Sequence, residues 1–538
     1  MCGIFFYYGL KKDTGFIYKQ FIKIKERGPN NSHIFIEDNI FIGFHRLMIN
    51  DLSYNGNQPM FFNESILVCN GEIYNSKELI EKYNLQCRSS SDCETIIQLY
   101  NCLKNIYLSV DDVVNKLCQE LDGEFAFVIY DKLLQKIIVA RDRYGVRPLF
   151  VGHNDDNNEF GFASELKSLD LLFNNVEQFT PSMFNIFDLS SKTSIKKKYY
   201  EITNDFDITN NNEKEILIKI KKALEDAVEK RLSGDVPICA LLSGGLDSSL
   251  VCGIITEKLG KGVLNTFSIG MKGSTDLFYA KKVAEHIGSI HHEVIVTEQE
   301  MLNSINEVIG VIESYDITTV RASIPHFLIS KYIKNNTNFK CILSGEMSDE
   351  MMGGYLYFKK APNTIEFHNE TNKLLENICY FDNLRADRSI SSQGLEARAP
   401  FSDHHLAKLI QSINPELRCC NDKIEKYLLR KAFDNSDIIP KDILWREKEA
   451  FSDAVSSKTN SWYKIIQNHI DTLITDEEFQ NNSLNYKHCT PLTKEAYYYR
   501  TVFEAFYEND KVIPYFWMPN QKWVGNNIID PSARELTD

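Results

Sequence analysis

Val236-Pro237-Ile238-Cys239-Ala240-Leu241-Leu242-Ser243-Gly244-Gly245-Leu246-Asp247-Ser248-Ser249 is an apolar run that breaks into a Ser-Gly-Gly loop and then resumes. Val236–Leu242 has the length and apolarity of a buried strand, and Ser248–Leu259 reads as a helix. Strand, loop and helix in that order suit a polyphosphate. Glycines let backbone N–H groups approach phosphate oxygens, serine hydroxyls add donors, and the helix N-terminus supplies a favourable dipole. The set this picks out is Ser243, Gly244, Gly245, Asp247 and Ser248, with Asp247 placed to coordinate Mg2+ on the phosphates. No Gly-Lys-Ser/Thr follows, so the loop is not of the Walker type.

On both sides of this stretch strand and helix alternate. Ile216, Ile220, Leu224 and Ala227 repeat at helical spacing in Lys214–Leu232, Leu264–Ile269 and Lys340–Leu343 are strand-like, and Leu277–Ile287 is helical. Such alternation predicts an α/β C-terminal domain on a parallel sheet. The first 200 residues differ. Short β-prone runs recur at Gly3–Tyr8, His33–Ile36, Ile40–Phe44, Ser65–Cys69, Glu124–Tyr130, Lys136–Ala140, Leu149–Gly152 and Gly161–Ala163, parted by turn residues. They predict an α+β N-terminal domain of layered antiparallel sheets. The expected divisions are residues 2–190, a linker over 191–212, residues 213–515, and a loose tail over 516–538, with polar, asparagine-rich Asp205–Lys214 the best linker candidate.

A chain of 538 residues is too long for one hydrophobic core, which agrees with two domains. A formal charge of −14 argues against a nucleic-acid partner or an anionic membrane surface. The 13 cysteines show no framework spacing and no CxxC pair, Cys419–Cys420 being merely adjacent, and they read as reduced thiols. With no apolar run long enough to span a bilayer and no leader pattern, a cytoplasmic protein is expected.

Cys2 directly follows Met1. Removal of Met1 would leave thiol and α-amine on one residue. An amine titrating near ~7.7–8.0 can serve as base for its own side chain. Arg46 in His45-Arg46-Leu47-Met48-Ile49-Asn50-Asp51 ends a strand, where it can pair with a carboxylate. In Asn70-Gly71-Glu72-Ile73-Tyr74-Asn75 the Asn amide and Gly N–H suit an oxyanion hole, and Glu72 can hold an ammonium. Asp92, in Ser91-Asp92-Cys93-Glu94, opens a helix and is also a natural N-terminal cap. Each string alone is common.

In the second half, Leu343-Ser344-Gly345-Glu346-Met347-Ser348-Asp349-Glu350 places carboxylates after a strand. Asp349 can share the Mg2+ of Asp247, and Glu346 can orient a nucleophile or take a proton. Lys448, in Arg446-Glu447-Lys448-Glu449, offers a cation against charge building on the phosphates.

Taken in order, Cys2, Arg27-Gly28-Pro29, Arg46, Asn70-Gly71-Glu72 and Asp92 resemble the class II glutamine amidotransferase domain, over about residues 2–190. The Ser243–Ser249 loop is similar to that of ATP pyrophosphatases. Tyr315–Ser323, Gly353-Gly354-Tyr355 and Gly394–Phe401 extend a resemblance to the glutamine-hydrolysing asparagine synthetase family over roughly residues 2–510. The resemblance implies an Ntn-hydrolase-like first domain and an ATP-pyrophosphatase-like second one. It implies Cys2 as nucleophile, Asn70 and Gly71 as oxyanion hole, and Arg46, Leu47, Met48, Ile49, Asn50, Glu72 and Asp92 as the glutamine site. Leu241, Ile269, Ser344 and Gly345 would contact ATP, Glu346 would serve β-aspartyl-AMP formation, and Thr318, Thr319 and Arg321 would belong to the aspartate region.

The implied substrates are glutamine, aspartate and ATP, with Mg2+, and a homodimer is left open. The same architecture acting on another carboxylic acid, or a non-catalytic glutamine- or nucleotide-binding regulator, are the rival readings. Residues that depart from the family pattern are Asn30 for Asp, Met347 for Gly, Ser402 for Leu, and Ala454 and Ser456 for Gly. A φ above zero at Met347 would strain it by ~1–3 kcal/mol.

Overall fold

The computed structural model describes the chain except residues 10–11, 155–158, 203–204, 210–211, 420–422, 458–459, 526–527 and 533–538. Cys420, part of the polar linker and the end of the tail therefore lie outside the described residues.

The front half is two six-stranded antiparallel sheets face to face. One runs Asn175–Gln178, Phe150–His153, Phe160–Ala163, Gly3–Tyr8, Ile40–Arg46, Asn31–Glu37. The other runs Thr193–Lys198, Met183–Asp188, Lys136–Arg141, Gly123–Asp131, Ser65–Ile73, Met60–Phe62. Their central strands are apolar on both faces because both faces are covered. Ile4 and Phe6 join Ile66, Val68, Ala126 and Val128 between the sheets. Phe5 and Tyr7 point the other way, beside Phe21 of helix Thr14–Ile22. Leu67, Cys69, Phe125 and Phe127 back onto helices Glu94–Lys104 and Val110–Glu120. Side chains of period two thus feed two separate cores from one strand.

The back half carries a parallel five-stranded sheet in the order Ile290–Ile295, Asn265–Gly270, Ile238–Leu241, Cys341–Leu343, Glu396–Arg398. In chain order that is 3-2-1-4-5, so the winding reverses between Ile238–Leu241 and Cys341–Leu343. Ligands of open parallel sheets bind beyond the carboxyl ends of strands at such a switch. Both motif loops, at Ser243 and Ser344, emerge there. Cys239 and Ile342 pack on the face of helix Ile317–Asn336, while Ala240 and Leu343 pack on helices Glu213–Lys230 and Leu246–Leu259.

Two expected boundaries need correction. Thr193–Lys198 falls in the stretch read as linker but pairs antiparallel with Met183–Asp188. All six of its residues are exposed, so its charged sequence carries no burial signal. The expected tail is not loose where described: Trp517 N donates to Asp316 Oδ1 at 2.7 Å, and Asp530 receives both Nη atoms of Arg321 at 2.9 and 2.7 Å.

Candidate functional site

Cys2 sits at the start of the strand Gly3–Tyr8, between front and back halves. Its backbone N donates to Asn70 Oδ1 at 3.0 Å, its carbonyl accepts from Arg27 Nε at 3.0 Å, and Sγ lies 3.7 Å from Leu47 O. Burial raises the thiol pKa. Asn70 Nδ2 is buried and has no partner, which leaves one amide donor open beside the thiol. The residue opposite Gly71 across the sheet is Phe125, and a Cβ on Gly71 would stand 2.6 Å from Glu124 O, so only glycine fits that approach.

The other expected glutamine residues surround this point. Asn50 Nδ2 donates to both Glu72 Oε2 (2.7 Å) and Asp92 Oδ1 (3.0 Å). It is a nitrogen donor between two carboxylates, where a substrate ammonium has the same use. Asp92 is no helix cap: its second oxygen accepts from Ile73 N at 2.6 Å, and Cys93 heads the helix without a side-chain cap. Arg46 is spent on its own loop, donating to Ser53 O, Asn57 Oδ1, Asn50 O and Asp51 O. Direct pairing with a carboxylate therefore requires residues 50–57 to release it. Met48 N donates to Asn30 Oδ1 at 3.0 Å, a bond that Asp would accept equally well.

The back half reaches into this site. Arg398 Nη2 lies 3.3 Å from Glu72 Oε1, a contact the motif reading missed. Burial, with Asp92 and Glu396 nearby, pushes the Glu72 carboxyl upward against the pull of Arg398. Leu47 and Ile49 pack with Cys341, with Cys2, Val236 and Ile238 against them. Cys341 starts the strand Cys341–Leu343 that runs into Ser344, so roughly 10 Å of extended chain separates the thiol's surroundings from the second site.

At the carboxyl ends of the sheet a cavity of about 180 Å³ is lined by Leu241, Ser243, Gly245, Asp247, Ser248, Ile269, Thr318, Thr319, Ser344, Gly345, Glu346, Asp349 and Lys448, among others. Helix Leu246–Leu259 begins at Gly245 with no side-chain cap, so its first N–H groups remain available to an anion. Ser344 Oγ and Thr318 Oγ1 are buried without partners, whereas Thr319 Oγ1 is spent on Asp316 Oδ2 at 2.8 Å. Gly345 packs so tightly on the helix start that a Cβ would meet Ser248 N at 2.8 Å.

Two expected residues have structural partners of their own. Gly244, at φ +74°, packs where a Cβ would lie 2.4 Å from Ala280 N, so it serves the docking of helix Thr275–Ile287. Arg321 does not line the cavity. Its guanidinium is saturated by Glu495 and Asp530, and it belongs to the buried scaffold.

The carboxylates of the two loops meet through a lysine absent from the motif reading. Lys426 Nζ lies 2.6 Å from Asp247 Oδ2 and 2.6 Å from Asp349 Oδ1, and Lys448 Nζ is 2.6 Å from Asp349 Oδ2. Burial would raise Asp349, but the two lysines hold it well below the usual carboxylate range. Two carboxylate oxygens converging on one cation are the hard donors Mg2+ takes together with substrate phosphates, so Asp247 and Asp349 fit that ion. Glu346 Oε2 is held by Arg385 Nη2 at 2.6 Å, with His326 Nε2 3.5 Å from Oε1. Burial raises the Glu346 carboxyl and lowers His326, which stays neutral.

Met347 does adopt the left-handed conformation, φ +78°, with its side chain in the apolar core. Relief of strain is worth ~1–3 kcal/mol, but emptying a buried methionine site costs ~2–5 kcal/mol. Met347→Gly is therefore expected to lower stability by about 1–2 kcal/mol in urea denaturation; a more stable variant would show that strain dominates. Ala454 and Ser456 are not in left-handed backbone and need no glycine. Ser402 Oγ donates to Glu124 Oε1 at 2.6 Å, replacing apolar packing by a bond between the halves.

Asp276 also faces the cavity, with Oδ2 unpartnered. Burial pushes its carboxyl from 3.8 to about 8, against Arg446. Below pH 3.8 both folded and unfolded chains hold this proton. Between there and about pH 8 only the folded chain does, so stability falls as pH rises through that window. Asp276→Asn removes the fall. The variant should match the parent at pH 4 and exceed it at pH 7 and 8 in denaturant titrations; equal pH slopes would refute a protonated Asp276.

The chain matches the family models described as "Asparagine synthase", over residues 219–372 and 362–524, and "Glutamine amidotransferase domain", over residues 1–210. It is 43% identical over 563 residues to the "Probable asparagine synthetase [glutamine-hydrolyzing]" of Acanthamoeba polyphaga mimivirus, with 100% of each chain covered. Identity is 40% over 574 residues to the asparagine synthetase [glutamine-hydrolyzing] of Gallus gallus and 39% over 568 residues to that of Homo sapiens. These matches cover 100% of this chain and 98% and 99% of the relatives.

Proposed function

The chain belongs to the family of glutamine-hydrolysing asparagine synthetases, and from that premise we propose how its residues make asparagine from aspartate, ATP and glutamine. The front unit, residues 2–190 with the edge strand 193–198, is the glutaminase, and residues 213–515 are the synthetase. Removal of Met1 turns the Cys2 N into an α-amine, which Asn70 Oδ1 holds beside Sγ. The thiol gives its proton to this amine and attacks the glutamine carboxamide. Asn70 Nδ2 and the Gly71 N–H meet the oxyanion, the amine returns its proton to the departing ammonia, and water hydrolyses the glutamyl thioester to glutamate and free thiol. Asn50, Glu72 and Asp92 hold the amino end of glutamine, while the 46–50 backbone and Arg46, once residues 50–57 release it, hold its carboxylate end. The unpartnered Asn70 Nδ2 is the observation that carries this half.

In the second half Ser243, Gly245 and Ser248 cradle the polyphosphate, and Leu241, Ile269, Ser344 and Gly345 seat the nucleoside. Asp247 and Asp349 would hold Mg2+, which when bound neutralises phosphate charge. The aspartate side-chain carboxylate attacks the α-phosphorus, pyrophosphate departs toward Lys426 and Lys448, and β-aspartyl-AMP forms. Thr318 offers aspartate a hydroxyl. Glu346, fixed by Arg385, orients the incoming ammonia, which displaces AMP. Ammonium is not nucleophilic, so ammonia must travel sheltered from water. The short path along Cys341–Leu343 supports such a passage. No helix among the described residues is long and apolar enough to cross a membrane, and we place the reaction in the cytoplasm.

The test is incubation of the full chain with aspartate, glutamine, ATP and Mg2+. Asparagine, glutamate, pyrophosphate and AMP should appear in equal amounts. Release of ADP, or AMP formation independent of aspartate, would sink the assignment.

A further inference from the structure

At the seam between the halves, a carboxylate of the front half meets two imidazoles of the back half. Asp122 stands where helix Val110–Glu120 turns into strand Gly123–Asp131. His404 and His405 open helix His404–Ser412, which Asp403 caps. His404 Nδ1 lies 3.1 Å from Asp122 Oδ1, and His405 Nε2 lies 3.5 Å from Asp122 Oδ2. Successive residues on a helix ordinarily diverge. Here both rings turn to one carboxylate with centroids 3.8 Å apart. Among the described residues this trio brings one ligand atom from each member within 4.8 Å of the others. A small cavity of about 10 Å³, lined by Asp122, Asp142, Arg143, Arg231, Ser402 and His404 among others, adjoins it and has room for about one water.

We propose that Asp122, His404 and His405 bind a divalent transition metal ion of the zinc class, which fastens the glutaminase half to the synthetase half. Imidazole nitrogen with carboxylate oxygen is a donor set for Zn2+, and three protein ligands leave a position for water. The facing charges are Asp122, Asp142, Asp403 and Glu124 against Lys230, Arg143 and Arg231, so the site has one more carboxylate than fixed cations. Lys230 Nζ lies 2.7 Å from Asp122 Oδ2 and 3.0 Å from Asp403 Oδ2. Metal entry takes Asp122 from Lys230, which keeps Asp403.

The experiment titrates chelator-treated full chain with Zn2+ by calorimetry, and with Co2+ by visible absorption, in the absence of nucleotide. His405 is 64% exposed on its side chain, so His405→Gln folds as the parent does. The parent should bind one equivalent of Zn2+ more tightly than His405→Gln by about tenfold or more, since even outer partners of metal ligands are worth 10–100-fold. The Co2+ complex should show nitrogen and oxygen ligation without thiolate charge-transfer bands. Lys230→Gln should tighten binding several-fold. Equal Zn2+ isotherms for parent and His405→Gln, or Co2+ spectra of thiolate type alone, would overturn the site. Unchanged affinity in Lys230→Gln would overturn the placement on Asp122 Oδ2.

Discussion

Cys2→Ala is expected to abolish glutamine-driven asparagine formation, by roughly 10³-fold or more, and to leave ammonia-driven formation within about twofold of the parent. The thiol sits beside Asn70 and Leu47 in the front half, and Cys2 is not among the residues that line the ATP cavity. Loss of one sulfur atom at a half-buried position costs little packing. Asn70→Ala, which removes an oxyanion donor but keeps the nucleophile, should lose less, about 10²–10³-fold. Asparagine would be quantified with glutamine and with ammonium chloride as alternative nitrogen sources. Loss of both activities would mean that Cys2 supports the fold of the whole chain, and loss of neither would remove it from catalysis. The mass of active enzyme should correspond to a chain that starts at Cys2.

Much of this arrangement is legible in the residues, and the parts that are not have physical causes. Gly3–Tyr8 is found at the bounds its apolar run predicts, because both its faces are buried. Thr193–Lys198 reads as linker because an edge strand exposed on both faces needs no apolar residue. Glu396–Arg398 escapes notice for the opposite reason. It is buried, but its burial is satisfied by ions: Arg398 Nε lies 2.8 Å from Glu396 Oε1, and its guanidinium also reaches Glu72. The phosphate loop was recognisable because glycine, serine and aspartate are contiguous. Lys426 was not, since it stands far along the chain in Lys-Tyr-Leu-Leu-Arg and is brought in by folding alone, at φ +56°. Arg321 shows the converse error. It is close in sequence to Thr318, yet its partners Glu495 and Asp530 are 174 and 209 positions away and draw it from the cavity.

Lys426→Met is expected to slow aspartate-dependent pyrophosphate release by about 10²–10³-fold while leaving glutaminase activity intact. Methionine keeps the length and apolar stem of the side chain, so the change removes charge rather than volume. Lys426 Nζ is within 2.6 Å of one oxygen each of Asp247 and Asp349, which places those oxygens no more than about 5 Å apart. Asp349 keeps Lys448; Asp247 loses the one ammonium it touches among the described residues. At an effective dielectric near 20 two such charges repel by about 3 kcal/mol, the size expected for a buried pair that loses one member. The variant should therefore be less stable by that amount in urea without divalent ions. Mg2+ should restore its stability, and more so than it stabilises the parent, because the emptied position offers two hard oxygens to a dication. The rate should not return with it, since a metal between the carboxylates does not replace a cation that follows the departing pyrophosphate. Should Mg2+ stabilise parent and variant alike, Asp247 and Asp349 are not a cation site. Should the variant release pyrophosphate at near the parent rate, Lys426 only holds two acids apart, and the charge that catalysis needs rests on Lys448 alone.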